Sequence, residues 1–310
     1  MRSKLVLPAL TAGIFLLAGC DIEDLHGYAR FSRDFHYSYP LDPNGRLAVE
    51  TFNGSIEVST WDQNTVDISG TKFGPSQEVA DNLPVSIDQT PAAVRIRMVR
   101  QVGWQTHNTG ARLVVKIPRG ATLERLITSN GPIRTAGGIG PARYKTSNGG
   151  IRVVGLAGNL DAETSNGGVD LMDIEGDVVA HTSNGHIHAG RLKGSLEATS
   201  SNGGITAELT RADRPARVET SNGGVELTLP AGLSRDVRAS TSNNGITVRL
   251  PAELNGRVRA HTSNSRIASD FELRLHGEIS KNRIDATLGS GAGPLIDLSS
   301  SNGAIRLAKM

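Results

Sequence analysis

Short stretches in which apolar and polar residues alternate run along most of the chain, and they flank a recurring Thr-Ser-Asn-Gly. Apolar residues stand three positions after each asparagine, as at Ile151 and Val169, and four positions before it, as at Ala162 and Ala180. Alternation with a period of two indicates β-strands that bury one face. Each repeat therefore predicts two short strands joined by a turn at the Asn-Gly.

The asparagines recur at intervals of 18 residues at first and later at 20 and 21 residues. The final gap of 38 residues spans two periods, and ISKNRID, around Lys281 and Asn282, is interpreted as a degenerate copy within it. We predict that the aligned asparagines form a structural row, which we call the turn ladder. Its members are Asn53, Asn130, Asn148, Asn166, Asn184, Asn202, Asn222, Asn243, Asn264 and Asn302.

Two all-β architectures fit a period of 18–21 residues. In a parallel β-solenoid, or β-helix, each repeat is one rung, and about ten rungs stacked at about 4.8 Å make a rod of roughly 50 Å. In an antiparallel β meander, Asn-Gly would be a hairpin turn, but the sheet would need more than the usual limit of about ten strands. The solenoid is favoured because stacked asparagine amides can hydrogen-bond along the stack.

Two finer expectations follow from the solenoid. The glycine after each asparagine is expected to adopt a left-handed backbone at the corner. An interior asparagine is expected to be buried, so that Asn184→Ala costs on the order of 1–3 kcal/mol.

The first twenty residues have the features of a lipoprotein signal peptide. Arg2 and Lys4 precede an apolar run that is too short for a membrane span of about 20 residues, and Leu-Ala-Gly-Cys ends at Cys20. The pattern resembles a lipobox, in which Cys20 is lipidated and anchors the chain to a membrane. Asp21 resembles a signal for retention at the inner membrane if the host sorts lipoproteins as enteric bacteria do. The outer membrane or the cell surface is the other expected location.

After the signal peptide, residues 21–45 are predicted to form a tether and an N-terminal β cap, and residues 46–310 a β-strand repeat domain. Phe35, Tyr37 and Tyr39 alternate and are expected to cover the first rung, with an aromatic binding patch as the alternative. The repeat domain divides into an irregular part, 46–120, and a regular part, 121–310.

Within the irregular part, Ala93–Arg100 and Ala111–Ile117 are predicted to be two strands paired with each other. The polar loop between them contains Trp104 and His107. Because loops on rigid scaffolds often carry binding residues, these two side chains are binding candidates, although Trp104 folded back onto the sheet is the simpler interpretation.

Candidate chemistry is sparse. His186 and His188 face the same way on a predicted strand and are weak metal-ligand candidates, because no third ligand is evident. No column of outward residues carries paired carboxylates, and no phosphate loop or nucleophile motif occurs, so we expect no enzyme and no cofactor. Once Arg2 and Lys4 are removed, 31 basic residues face 31 acidic ones, which gives no basic surface for nucleic acid.

The lipobox, the early VETFNGSIEVSTW, the lead-in ARLVVKIPRGATLERLITSNG and the iterated TSNGGI resemble the bacterial β-strand repeat family called putative adhesins, whose domain has no established function. The resemblance covers residues 46–310. It implies a β-solenoid in a cell-envelope protein and no catalytic residues.

Two functional hypotheses follow. The first is a non-catalytic, lipid-anchored adhesin or binding rod with an extracellular or glycan ligand. The second is a periplasmic structural or envelope-stress lipoprotein that acts through an envelope protein partner.

Overall fold

The computed structural model describes residues 31–98, 108–211, 213–276 and 280–310. These residues form 27 strands and one short helix, α1 (Gln77–Asn82), and the strands lie in two mostly parallel sheets.

Sheet A contains 13 strands, which in spatial order are β1 (Phe31–Pro40), β4 (Thr65–Gly74), β7 (Gly110–Pro118), β3 (Ile56–Trp61), β9 (Ile133–Ala136), β11 (Ile151–Val154), β13 (Val169–Met172), β15 (Ile187–Lys193), β17 (Ile205–Arg211), β19 (Val225–Thr228), β21 (Ile246–Leu250), β27 (Ile305–Lys309) and β23 (Ile267–Ser269).

Sheet B contains 14 strands, which in spatial order are β24 (Arg274–Leu275), β25 (Arg283–Leu288), β22 (Gly256–Thr262), β26 (Leu295–Ser300), β20 (Val237–Thr241), β18 (Ala216–Thr220), β16 (Leu196–Ser200), β14 (Val178–Thr182), β12 (Leu160–Glu163), β10 (Ala142–Lys145), β8 (Thr122–Ile127), β2 (Arg46–Glu50), β6 (Ala93–Met98) and β5 (Val85–Thr90).

One strand of each sheet and the corner between them make one rung, and successive rungs pair in parallel with equivalent residues side by side. Ile151, for example, lies between Ile133 and Val169 in sheet A. The parallel β-solenoid is therefore confirmed, and the antiparallel meander is wrong. The described residues form eleven rungs, and ten of them carry an asparagine of the turn ladder.

The core lies between the two sheets and is continuous along the stack. It is filled by the inward residues that the alternation predicted, and most of them are Ile, Val, Leu or Ala. Sheet B contributes small residues such as Ala162 and Ala180, whereas sheet A contributes larger ones such as Ile187. In the middle rungs an inward column often keeps the same residue from rung to rung, as Ala162, Ala180 and Ala198 show, so these rungs stack closely.

The rungs follow chain order only in the middle of the stack. At the N-terminal end the β2–β3 rung is enclosed: the β6–β7 rung, which follows it in the chain, stacks on its outer side, and the β8–β9 rung stacks on its inner side. The predicted pairing of Ala93–Arg100 with Ala111–Ile117 is therefore wrong. Strands β6 and β7 lie in different sheets, and each pairs in parallel with the β2–β3 rung.

The C-terminal end has the same exchange of order. The β26–β27 rung, which carries Asn302, lies between the rungs of Asn243 and Asn264, although it follows both in the chain. The expected degenerate rung at Lys281 and Asn282 is wrong, because the chain there turns back into β25. That strand pairs antiparallel with β22 and closes the end of sheet B together with β24.

Antiparallel strands also close the N-terminal end. Strand β4 pairs with β7, β1 pairs with β4, and β5 pairs with β6, all antiparallel. Helix α1 begins after Ser76, whose hydroxyl accepts a hydrogen bond from the backbone N–H of Val79, and packs beside β4 and β1. Strand β1 is the described part of the predicted N-terminal cap, and it is the outermost strand of sheet A.

Candidate functional site

The turn ladder is a continuous row of side-chain amides along one edge of the solenoid. Each Nδ2 donates to the Oδ1 of the asparagine in the neighbouring rung, at 2.5 to 2.8 Å. The row follows spatial order rather than chain order, so Asn302 lies between Asn243 and Asn264. At the N-terminal end Asn53 donates to the carbonyl of Thr109. All nine amide–amide bonds point the same way.

The side chains of the turn ladder lie on the surface, which corrects one expectation. Asn148, Asn166 and Asn184 are exposed, and the amides that meet each other also meet solvent. An exposed hydrogen bond contributes less to stability than a buried one, because water replaces a missing partner. The expected cost of 1–3 kcal/mol for Asn184→Ala is therefore too high.

The buried part of each corner is the threonine or serine two positions before the asparagine. Thr182, which is fully buried, donates to the carbonyl of Gly167 in the preceding rung at 2.9 Å and accepts from the N–H of Gly185 in its own rung at 3.1 Å. Thr164 and Ser200 make the same two bonds in their rungs. These hydroxyls link neighbouring rungs inside the corner, where water cannot replace them.

The glycine after the asparagine is required for close packing rather than for a left-handed backbone. A Cβ built on Gly203 would lie 1.8 Å from the carbonyl oxygen of Gly185, and one on Gly185 would lie 1.8 Å from that of Gly167. Among these corner glycines only Gly54 has a positive φ, of 116°. The expected left-handed corner is therefore wrong for the regular rungs. Asn244 and Ser265 replace this glycine in two rungs near the C-terminal end.

Left-handed residues occur instead at the opposite corner, seven positions after the asparagine. Gly137 and Gly155 occupy this position in two rungs, and Asp173 and Arg191 occupy it in the next two with φ of 57° and 53°. A left-handed backbone is unusual for arginine. The guanidinium of Arg191 binds both carboxylate oxygens of Asp173, at 2.6 and 2.5 Å. The sequence contained a signal for this column, the two glycines at equal spacing, but it was not recognised.

The predicted histidine pair lies on the outer face of sheet A. His186 and His188 are both exposed and flank buried Ile187. The Nε2 of His186 lies 3.3 Å from the Oδ1 of Asp170, and its ring covers Gly168. Among the described residues no three or more His, Cys, Asp or Glu side chains are grouped as metal ligands. The histidines are therefore part of a charged surface column, and their role as metal ligands stays a prediction.

Several charged side chains of the outer faces pair with a partner in the next rung. Lys145 and Glu163, for example, meet at 2.6 Å. Arg191 lowers the pKa of Asp173, and hydrogen bonds from Ser195 lower that of Asp177. These pairs are exposed, and each contributes little to stability.

Three buried hydroxyl groups of the described residues, those of Thr109, Thr135 and Tyr144, have no hydrogen-bond partner. The hydroxyl of Tyr144 is fully buried in the core and points towards that of Thr135, but without satisfactory hydrogen-bond geometry. Burial raises the pKa of Tyr144 far above its usual range, so the phenol stays neutral. Tyr144 fills a column that alanine occupies in neighbouring rungs such as that of Ala162.

Aromatic side chains form a row on β1 at the N-terminal end. This aromatic row consists of Phe31, Phe35, Tyr37 and Tyr39. Phe35 and Tyr39 pack partly against the core, whereas Phe31 is 43% exposed and Tyr37 is 39% exposed. The rings of Tyr37 and Tyr39 stack with centroids 6.3 Å apart. The expected covering of the first rung is thus only partial, and the row is left open on one side.

The residues named in the predictions that lie outside the described parts of the chain include Cys20, Asp21, Trp104 and His107. The described neighbours of the Trp104 loop, Met98 and Gly110, belong to the β6–β7 rung near the N-terminal end of the stack. In the described residues no helix is long and apolar enough to span a membrane.

Two shallow depressions lie on the described surface at the corner opposite the turn ladder. The larger, of about 500 Å³, is lined by Arg214 and Arg235 together with Asp213 and Asp236. Both signs of charge alternate around it, so the depression has no clear preference for an anion or a cation.

Comparison with solved structures returns bacterial proteins of low sequence identity. A Clostridium sporogenes protein described as a putative cell adhesion protein is 11% identical, with 90% of this chain and 100% of that chain covered and a TM-score of 0.30. A putative adhesin from Bacteroides fragilis is 11% identical, with 89% and 97% covered and a TM-score of 0.30. A putative lipid binding protein from Parabacteroides distasonis is 12% identical, with 90% and 96% covered and a TM-score of 0.34.

No curated protein matches the chain. A family model does: Toastrack DUF4097 matches residues 46–278, which is most of the repeat domain. The match ends before the β26–β27 rung and includes both the β2–β3 and β6–β7 rungs. With its parallel stack and repeated asparagine corner, this chain belongs to the Toastrack DUF4097 family.

Proposed function

We propose that this protein is a non-catalytic binding rod of the bacterial cell envelope, anchored through lipid at Cys20. The observation that carries the proposal is the position of β1. The first described strand lies at one end of the solenoid, so a lipid at Cys20, eleven residues before Phe31, tethers that end. The Asn264 rung lies near the opposite end.

The length of the stack determines how far the tether is from the far end. Eleven rungs at about 4.8 Å make a rod of about 50 Å. The rungs are joined by a continuous core, by the turn ladder and by the buried hydroxyl row. A rod of this construction holds its far end at a fixed distance from its anchored end, which suits presentation of a binding surface.

The described surface favours binding over catalysis. Its acidic residues are spread along the rod in separate ion pairs, such as Asp173 with Arg191 and Glu226 with Arg249. General acid–base catalysis needs two titratable groups within reach of one substrate. An extended face with such separate ion pairs is better suited to contact with a polymer or a protein.

A periplasmic role is the second candidate, and Asp21 directly after Cys20 favours it. In that case the rod would stay at the inner membrane and act through an envelope protein partner.

Accessibility on intact cells tests the proposal and separates the two candidates. An epitope inserted in the exposed turn 252–253, near the far end, would be probed with antibody before and after opening the outer barrier. A second epitope at the exposed turn 62–64, near the anchored end, serves as the matched control. Cells carrying Cys20→Ala test the anchor, because this change removes the acceptor thiol.

For a surface rod we expect the far epitope to be labelled on intact cells. With Cys20→Ala we expect the protein to be released into the medium. If the far epitope is labelled only after the outer barrier is opened, the surface rod is wrong and the periplasmic candidate takes its place. Protein that stays in the membrane fraction with Cys20→Ala would refute the lipid anchor.

A further inference from the structure

The two ends of the solenoid differ in the strands that they leave unpaired. At the C-terminal end the outermost strands are very short: β23 has three residues and β24 has two. At the N-terminal end the outermost strand of sheet A is β1, with ten residues, and no described strand pairs with its second edge. A long free edge is a template for another strand, and native proteins usually shorten or cover such edges.

The inward face of β1 is also incompletely covered. Sheet A extends past the β6–β7 rung by two strands, β4 and β1, whereas sheet B extends by only one, β5. The aromatic row on β1 therefore has no strand of sheet B opposite it, which explains why Phe31 and Tyr37 are exposed. A free edge and a partly uncovered aromatic row on the same strand point to a protein partner at this end.

We propose that this partner is a second copy of the chain, which pairs through β1 in an antiparallel, two-fold symmetric arrangement. In an antiparallel pair, directly opposed residues share a face. The aromatic rows of the two copies then lie side by side on one face of the continued sheet, and each shields one flank of the other from solvent.

The sequence of β1 selects one register. If Phe35 lies opposite Phe35 of the second copy, Phe31 lies opposite Tyr39, and Arg33 lies opposite Tyr37, where a cation–π contact forms. On the other face Asp34 lies opposite His36. This register uses residues 31–39 completely and places the Asp34 carboxylate opposite an imidazole that can donate a hydrogen bond.

Neighbouring registers are less favourable. A shift of one residue would bring the aromatic row opposite Asp34 or His36 and turn the two apolar faces away from each other. The two nearest registers that keep the faces together place Asp34 opposite Asp34, or His36 opposite His36. Like groups directly opposed across a strand pair are destabilising.

The pair has a consequence for the proposed rod. Strands paired in this way join two solenoids end to end, with both Cys20 anchors near the junction and the two Asn264 rungs pointing in opposite directions. The inference goes beyond the proposed function, because the junction can form whether or not the far ends bind a ligand.

Cysteine cross-linking of the purified full chain tests both the pairing and its register. Cys20 is the only cysteine in the sequence, so Cys20→Ala provides a background without thiols. Ser32 and Ser38 are exposed on β1 and are directly opposed in the proposed register. A mixture of Ser32→Cys and Ser38→Cys chains should form a mixed disulfide under mild oxidation, whereas either chain alone should not.

Tyr37→Lys tests the aromatic contact without relying on a cross-link. Because Tyr37 is 39% exposed, the fold should tolerate the change, while the dimer dissociation constant should rise at least tenfold in sedimentation equilibrium. Val179→Lys is the matched control, since Val179 is 45% exposed on a middle rung and should leave the dimer unchanged. A monomer at all concentrations for the Cys20→Ala chain, or cross-linking of Ser32→Cys with itself as readily as with Ser38→Cys, would overturn the proposal.

Discussion

The middle rungs and the end rungs of this solenoid consist of the same kind of short parallel strands, but they differ in what they contact. A middle rung contacts similar rungs on both sides, whereas an end rung must also close the stack. From β8 to β21 chain order equals spatial order. The corners of the Asn148 to Asn222 rungs repeat the same two hydroxyl bonds.

At both ends chain order and spatial order differ. The β6–β7 rung lies outside the β2–β3 rung, which precedes it in the chain, and the β22–β23 rung lies outside the β26–β27 rung, which follows it. Antiparallel strands lie beyond both outer rungs. A repeat specifies contact with identical neighbours, so it continues the stack but cannot end it.

The comparison teaches how the ends are stabilised. The β2–β3 and β26–β27 rungs, which would be terminal if chain order held, each have a rung on both sides. The outermost rungs instead have antiparallel strands on their outer side, β4 and β5 at the N-terminal end and β25 at the C-terminal end. Four variants test whether the middle and the ends are stabilised in this way.

The largest effect is expected when the chain is stopped after Pro294, which removes the β26–β27 rung. Four fully buried side chains are lost, Ile296, Leu298, Ile305 and Leu307. At about 1.5–3 kcal/mol each, the loss is on the order of 6–12 kcal/mol. Hydrogen exchange should show β22 and β25 unprotected while the middle rungs remain protected. A stop after Lys309 removes only exposed Met310 and is the control; continued protection of β22 in the shorter chain would contradict the enclosed-rung account.

A methyl group at the corner of a middle rung should have the next largest effect. Gly203→Ala brings a Cβ within 1.8 Å of the carbonyl oxygen of Gly185 and should lower the free energy of unfolding by about 3 kcal/mol. Gly204→Ala is the matched control. Its Cβ would lie 3.3 Å from the carbonyl oxygen of Gly224, and a neighbouring rung carries His186 at the same position. Equal midpoints of denaturant unfolding for the two variants would show that close corner packing does not limit the stack.

The buried hydroxyl row should matter more than the exposed amide row. Thr182→Ala leaves the N–H of Gly185 and the carbonyl of Gly167 without their buried partner, so we expect a loss of about 1–3 kcal/mol, which Thr182→Ser should largely avoid. Asn184→Ala should cost only about 0.5–1 kcal/mol, because its partners remain in contact with water. A larger loss for Asn184→Ala in urea unfolding would reverse this ranking.

The smallest effect is expected for Tyr144→Phe. The variant removes a buried hydroxyl that has no hydrogen bond and leaves the ring in place, so stability should stay within about 0.5 kcal/mol of the wild type or rise slightly. Tyr144→Ala is the contrast, since it leaves a cavity and should cost about 3–5 kcal/mol. A loss of more than 1 kcal/mol for Tyr144→Phe in thermal unfolding would mean that the hydroxyl makes a bond through water.

The middle of the fold could be predicted from the sequence because its information is local and repeated. The alternation around Asn148 and Asn166 fixes both strands of a rung, and equal spacing fixes their stacking. Rung order at the ends could not be read in this way. The motif around Asn264 differs from that around Asn302 mainly in Ser265, which stands where Gly303 stands, and this difference does not indicate rung order. The antiparallel pairing of β25 with β22 determines which rung lies outside.

The candidate site was predictable in part for a similar reason. Thr182 and Asn184 were recognised as corner residues from their repetition, but repetition does not reveal burial, so the more exposed of the two was expected to be the more important. The left-handed backbone of Arg191 could not be predicted from its residue type, because arginine rarely adopts that conformation. Gly137 and Gly155, at the same position in other rungs, adopt it easily. Cys20 could be proposed because lipidation depends on a short local sequence rather than on the fold.

The enclosed β26–β27 rung also sets an order of events for folding. Residues 256–269 are synthesised before residues 295–309, yet the only described parallel neighbours of β22 and β23 are β26 and β27, which the later residues form. Before the β26–β27 rung forms, the Asn264 rung has no neighbouring rung to pair with. Over the same period the edges of β20 and β21 in the Asn243 rung are unpaired. Folding cannot simply proceed rung by rung as the chain emerges, and its last step requires a long-range closure, which is slow. A chain that crosses a membrane unfolded would gain from such a delay, because the rod stays incomplete until the residues of the enclosed rung have crossed.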